Sequence, residues 1–162
     1  MPNARSTSPA RADAPKDPLS QVRTRADALY RAAIECCRQH DRAAKVHKED
    51  GEPELEHKHV DALCAMCDGS LKEMSEAYKA AAANVHPDGE PAWWHKANGM
   101  WHASREYERR HAGCDDMSRK LSGKHSPDQL RAMQLEYELE ASALLALRHA
   151  AEAYAKARPE LA

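Results

Sequence analysis

Residues 126–158 read SPDQLRAMQLEYELEASALLALRHAAEAYAKAR, and this stretch carries the strongest structural signal in the chain. Its only proline, Pro127, stands second, where the missing N–H of a first helical residue has no intrahelical partner to lose. Ser126 and Gln129 have the Ser-x-x-Gln spacing of a capping box. Steps of three and four then pick out Leu130, Met133, Tyr137, Glu140 or Ala141, Leu144, Leu147, Ala151 and Tyr154. That narrow stripe is what packs between helices crossing at about 20°. Pro159 closes the segment.

The same punctuation recurs towards the N-terminus. Pro18, Pro53 and Pro91 each open a long stretch without another proline, and Asp17 offers a first cap. Gly51, Asn84 and Gly123 stand where the corresponding helices should end. The spacing predicts helices over 18–49, 53–83, 91–121 and 127–158, each about 46–48 Å long at 1.5 Å per residue. Their inward stripes run through Val22, Ala26, Leu29, Ala33 and Cys36, through Val60, Cys64, Cys67 and Leu71, and through Ala97, Met100, Ser104 and Tyr107. Short connections make neighbouring helices antiparallel. The expected fold is all-α: an up-down-up-down antiparallel four-helix bundle over 18–160, behind a disordered tail over 1–17. Asp68, Gly69 and Ser70 form the weakest point, where poor helix formers could break the second helix. Gly99 and Gly113 read as points of close helix contact or mild kinking.

Composition agrees with helices. The 162-residue chain is 42% hydrophobic and 31% charged, enough for a core and too apolar for wholesale disorder. Aromatics are only 5% and Phe is absent, which argues against a β-sandwich or barrel. Mean hydropathy is −0.83, and no apolar run approaches the roughly 20 residues of a membrane helix. A net charge of −2 supplies no global basic field, so nucleic-acid binding is unsupported and no membrane partner is expected. The first twenty residues lack the apolar centre of a signal peptide, and five cysteines are an odd count. Reduced thiols in the cytoplasm are the expected state.

Polar residues at core positions carry the chemical content. His40, His47, His57 and His111 fall on inward stripes, as do Cys36, Cys64, Cys67 and Cys114. With antiparallel helices, His40, Cys64, His111 and Tyr137 come to similar depth, with Glu136 and Glu140 beside Tyr137. Imidazole and thiolate facing each other inside a bundle suit zinc or copper. The candidate ligands are His40, Cys64 and His111, with Cys67, Cys114 and Glu140 completing the set. Against this stands plain packing: free cysteine behaves as a small buried hydrophobe, and a core histidine needs only one or two hydrogen-bond partners. Packing is the expectation, so no cofactor is expected.

Enzyme motifs do not accumulate. Glu54–His57 and Glu108–His111 have the local Glu-x-x-His spacing of di-iron bundles, but on adjacent helices at different heights. Cys64-Ala65-Met66-Cys67 lacks the histidine that would follow in a haem attachment site. His95, four residues before Gly99, vaguely resembles the stretch used by histidine phosphotransfer domains, with Asn98 where those carry lysine. No phosphate loop, nucleophile elbow or His-Glu-x-x-His string is present. The sequence therefore points to a non-catalytic interaction or scaffold module. Metal binding, storage or sensing is the alternative, and a phosphotransfer-like bundle the second. A homodimer is expected through a further apolar stripe, Leu135, Leu139, Ala146 and Ala150, with Trp94 and Trp101 flanking it.

Overall fold

The computed structural model describes residues 17–49, 69, 72–73, 75–77, 79–80, 91–121, 123 and 125–161. Among these the chain is almost entirely helical and has no strand. Residues 1–16 of the expected tail, and most of the expected helix over 53–83, lie outside the described residues. Within that second segment Gly69 is itself helical, as are the described residues from 72 to 80.

Helix α1 spans Pro18–Glu49, as the proline and Asp17 predict. The Asp17 carboxylate accepts from the Leu19 amide at 3.4 Å, and its carbonyl accepts from Gln21 at 3.1 Å. Helix α2 spans Ala92–Lys120. Pro91 serves as its N-cap in extended conformation, so the helix starts one residue later than a proline at the first turn implies. Helix α2 runs unbroken through Gly99 and Gly113. A Cβ on Gly113 would come 3.4 Å from Glu136 Oε2, an ordinary contact with the end of a flexible side chain, and one on Gly99 would meet nothing within 4 Å among the described residues. After α2, Gly123 adopts φ +118, a backbone that L side chains rarely accept.

Helix α3 spans Pro127–Ala157. Its capping box is complete: Gln129 N–H donates to Ser126 Oγ at 3.2 Å and Ser126 N–H donates to Gln129 Oε1 at 2.9 Å. Beyond it, Pro159–Leu161 forms a single 3₁₀ turn.

The main core joins all three helices. Ala26, Leu29, Ala33 and Cys36 from α1 meet Ala97, Met100 and Tyr107 from α2, and Ala143, Leu147, Ala151 and Tyr154 from α3. A smaller cluster of Val22, Trp94 and Ala77 continues it. Alanine at so many of these positions lets helices approach closely, and Leu29, Met100, Leu147 and the two tyrosines fill the remaining space. Ser104, the polar residue of the seam, is 1% exposed and donates back to the Met100 carbonyl at 2.9 Å. Stripes on α1 and α2 follow the predicted phase. On α3 the phase differs in the first half: Leu130 and Tyr137 are 52% and 49% exposed, not inward. The contact there runs through Met133, Glu136 and Glu140, one residue off Tyr137. The Glu140 carboxylate meets His111 on α2 and the Glu136 backbone carbonyl accepts from Cys114, while Tyr137 lies at the edge, where its hydroxyl meets Ser118 Oγ at 3.1 Å.

Candidate functional site

Where α1, α2 and α3 converge below the alanine-rich core, a chain of polar side chains crosses all three helices. His40 Nε2 and the Tyr107 hydroxyl share a hydrogen bond of 2.6 Å, with the rings edge to face at 5.8 Å. One turn further along α2, the His111 ring stacks on Tyr107 with centroids 5.9 Å apart. His111 Nδ1 lies 2.9 Å from Glu140 Oε1 on α3, and the side chains of this pair are only 12% and 15% exposed. Cys114, three residues after His111, donates to the Glu136 carbonyl at 3.3 Å. The i, i+3 spacing on α2 and the i, i+4 spacing on α3 place these groups on facing sides.

Electrostatics in the cluster favour protonated thiols and an ionised carboxylate. Burial pushes the Cys36 thiol up to about 11, only partly offset by a hydrogen bond from Tyr107. Burial also pushes Cys114 up to about 12, reinforced by its hydrogen bond to Glu140 and by the negative charge of Glu140 and Glu136. For Glu140, burial pulls upward, but hydrogen bonds from His111 and Cys114 and the charges of His111 and His40 prevail, leaving it below the ordinary carboxylate value. Thiols held this far above neutral pH are poor nucleophiles. The arrangement is suited to fixing three helices in register, because each polar group finds its partner on a different helix.

A second polar cluster ties the end of α3 to the start of α1. The Tyr154 hydroxyl donates to Asp27 Oδ1 at 2.5 Å, and Arg158 Nη2 donates to Asp27 Oδ2 at 3.1 Å. Arg158 also bonds Glu160 through Nε. Arg158 is 6% exposed, so this ion pair is largely shielded from water. Burial and the adjacent Asp27 carboxylate push the Tyr154 phenol up. Further along, Arg148 grips Asp41 with two hydrogen bonds of 2.7 and 3.1 Å.

Of the expected ligands, His40, His111, Cys114 and Glu140 share one neighbourhood, while Cys64 and Cys67 lie outside the described residues. No group of three or more His, Cys, Asp or Glu among the described residues is placed to hold a metal ion. His95 is exposed in the first turn of α2. Among the expected interface residues, Leu135 is 55% exposed, Ala146 is exposed, and Leu139 is half-buried. Ala150 is half-buried against the core, and Trp94, at 2% exposure, packs with Val22 and Ala77. Trp101 is half-buried beneath Arg105, whose guanidinium carbon lies 5.8 Å from the ring centroid.

Sequence reasoning overlooked Tyr107 and Asp27 as polar hubs. The four-residue step from Tyr154 to Arg158, two polar groups on a core stripe, was the available signal for the second cluster. Among the described residues, no helix is long and apolar enough to cross a membrane. No protein-family model, curated protein or solved structure matches the chain.

Proposed function

We propose that this chain is a non-catalytic helical interaction module that pairs with a second copy through the outward face of α3. One observation carries the reading. The exposed large apolar side chains among the described residues are Leu130, Leu135, Tyr137 and Leu145, all within the first two-thirds of α3. Isolated exposed leucines are ordinary, but at 3.6 residues per turn Leu130, Tyr137 and Leu145 fall within about 80° of one another and make one face, with Leu135 outside that arc. The row is also suited to pairing with itself. Laid antiparallel on a second copy about a two-fold axis near Tyr137, Leu130 of one helix falls opposite Leu145 of the other.

The proposed architecture around this face is the up-down-up-down bundle. Three sets of pairings support it. Asp27 meets Tyr154 and Arg158 while Asp41 meets Arg148, so residue numbers climb on α1 as they fall on α3. His111 with Glu140 and Ser118 with Tyr137 repeat that opposite order between α2 and α3. Val22 beside Trp94 and His40 beside Tyr107 climb together on α1 and α2.

Size-exclusion chromatography with light scattering tests the module. At tens of micromolar, the full chain is expected at twice its 18.1 kDa mass, and Leu145→Glu at the single mass with unchanged helical circular dichroism. A wild-type particle of 18.1 kDa removes the dimer.

A further inference from the structure

A groove of about 790 Å³ runs along α1, bounded by Gly69 and Glu73 and by Leu161 of the C-terminal turn. Small-molecule sites span roughly 300–1,000 Å³, so its size is that of a ligand site. Tyr30, Ile34 and Leu161 supply apolar surface, each partly buried against the core. Four charged side chains line it, and they are not evenly matched. Glu73 is engaged by Arg25 at 2.6 Å. Glu35 accepts from Gln39 Nε2 at 2.7 Å and lies 3.6 Å from Arg38. Arg31, one of the lining residues, has no carboxylate within ion-pair distance among the described residues. The groove therefore joins an apolar ledge to an unneutralised guanidinium.

Gly69 adds an independent observation. Among the described residues a Cβ built there meets nothing within 4 Å, and the residue does not adopt positive φ. Neither its backbone conformation nor a contact with the described residues requires glycine at this position, although glycine in a helix costs roughly 0.5–1 kcal/mol relative to alanine. Glycine therefore places no side chain at this point of the groove lining.

We propose that the groove binds an amphipathic anion of the medium-chain carboxylate class, its head group on Arg31 and its hydrocarbon along Tyr30, Ile34 and Leu161. A guanidinium with a free fork binds a carboxylate through two parallel hydrogen bonds, and the apolar ledge covers the tail. This site is separate from the outward face of α3.

Titration calorimetry of the full chain with laurate, kept below its micelle concentration, tests the assignment, with dodecanol as the uncharged comparison. Laurate is expected to saturate one site. Arg31→Ala should weaken it by about tenfold or more, the loss of one charge-assisted contact. Gly69→Leu should abolish binding by filling the groove, while helical circular dichroism holds or rises, since leucine is the better helix former. The proposal is overturned by no saturable heat, by dodecanol binding as tightly as laurate, or by either variant binding like the wild type.

Discussion

The two halves of α3 are built from similar residues and behave differently. From Ala143 onward the helix packs Leu147, Ala151 and Tyr154 into the main core, each at 0% exposure, and its end is fastened to α1 by Asp27. Before Ala143 it meets α2 through Glu136 and Glu140, and leaves Leu130, Leu135 and Tyr137 about half exposed. The first half is positioned by directional hydrogen bonds, the second by area removed from water together with the bonds of Arg148 to Asp41 and of Tyr154 and Arg158 to Asp27. A leucine thus has a different worth a few turns apart on one helix. Burial of a whole leucine side chain stabilises by about 1.5–3 kcal/mol, whereas a half-exposed one contributes a fraction of that.

Truncation in each half is the sharpest way to break this contrast. Leu147→Ala should cost about 2–5 kcal/mol in urea unfolding, from lost transfer energy and the cavity left behind. Leu130→Ala, measured at concentrations low enough to exclude pairing, should cost about 0.5 kcal/mol or less, as surface substitutions do. Equal losses would mean that Leu130 is covered in solution.

The next effect comes from acid. Glu140 titrates below its ordinary value when folded, so its contribution is fully present above the ordinary carboxylate value of 4.5 and is lost as pH falls through the folded value. Stability should therefore decline below about pH 4.5, and Glu140→Gln should flatten that decline while lowering stability at neutral pH by about 1–3 kcal/mol, as expected when a buried hydrogen-bonded charge is removed. An unchanged acid slope in the variant would separate Glu140 from the acid sensitivity of the first half.

The smallest expected effect lies on α2. Gly99→Ala should stabilise by roughly 0.5–1 kcal/mol, because the position is helical, exposed and open around the added methyl group. A loss of stability on thermal unfolding would show that Gly99 is used for close contact.

Much of this was legible from local chemistry. Pro18, the Ser126–Gln129 box and the alanine-rich stripes on α1 and α2 depend on neighbours within a turn or two, so their spacing reports them directly. The site was legible in part: His40, His111, Cys114 and Glu140 were found as inward polar groups and do share one neighbourhood. Tyr107 was legible as core but not as a hub, since nothing local states which hydroxyl a distant imidazole will meet. Trp93 and Trp94 show the same limit: the three-four step points to Trp93 as the inward residue and Trp94 as a flank, but it is Trp94, at 2% exposure, that packs with Val22 and Ala77.

The sequence by itself determined that the described chain is helical, where α1 and α3 begin, and which edges of α1 and α2 face inward. Those properties follow from backbone satisfaction at helix ends and from the 3.6-residue period. Tertiary structure decided the rotation of the first half of α3, the exposure of Tyr137, the union of Asp27 with Tyr154 and Arg158, and the groove beside Arg31. Each depends on a partner more than a hundred residues away or on another helix. A helix can turn about its axis by tens of degrees with no change in its own hydrogen bonds, so only contacts between helices fix that angle.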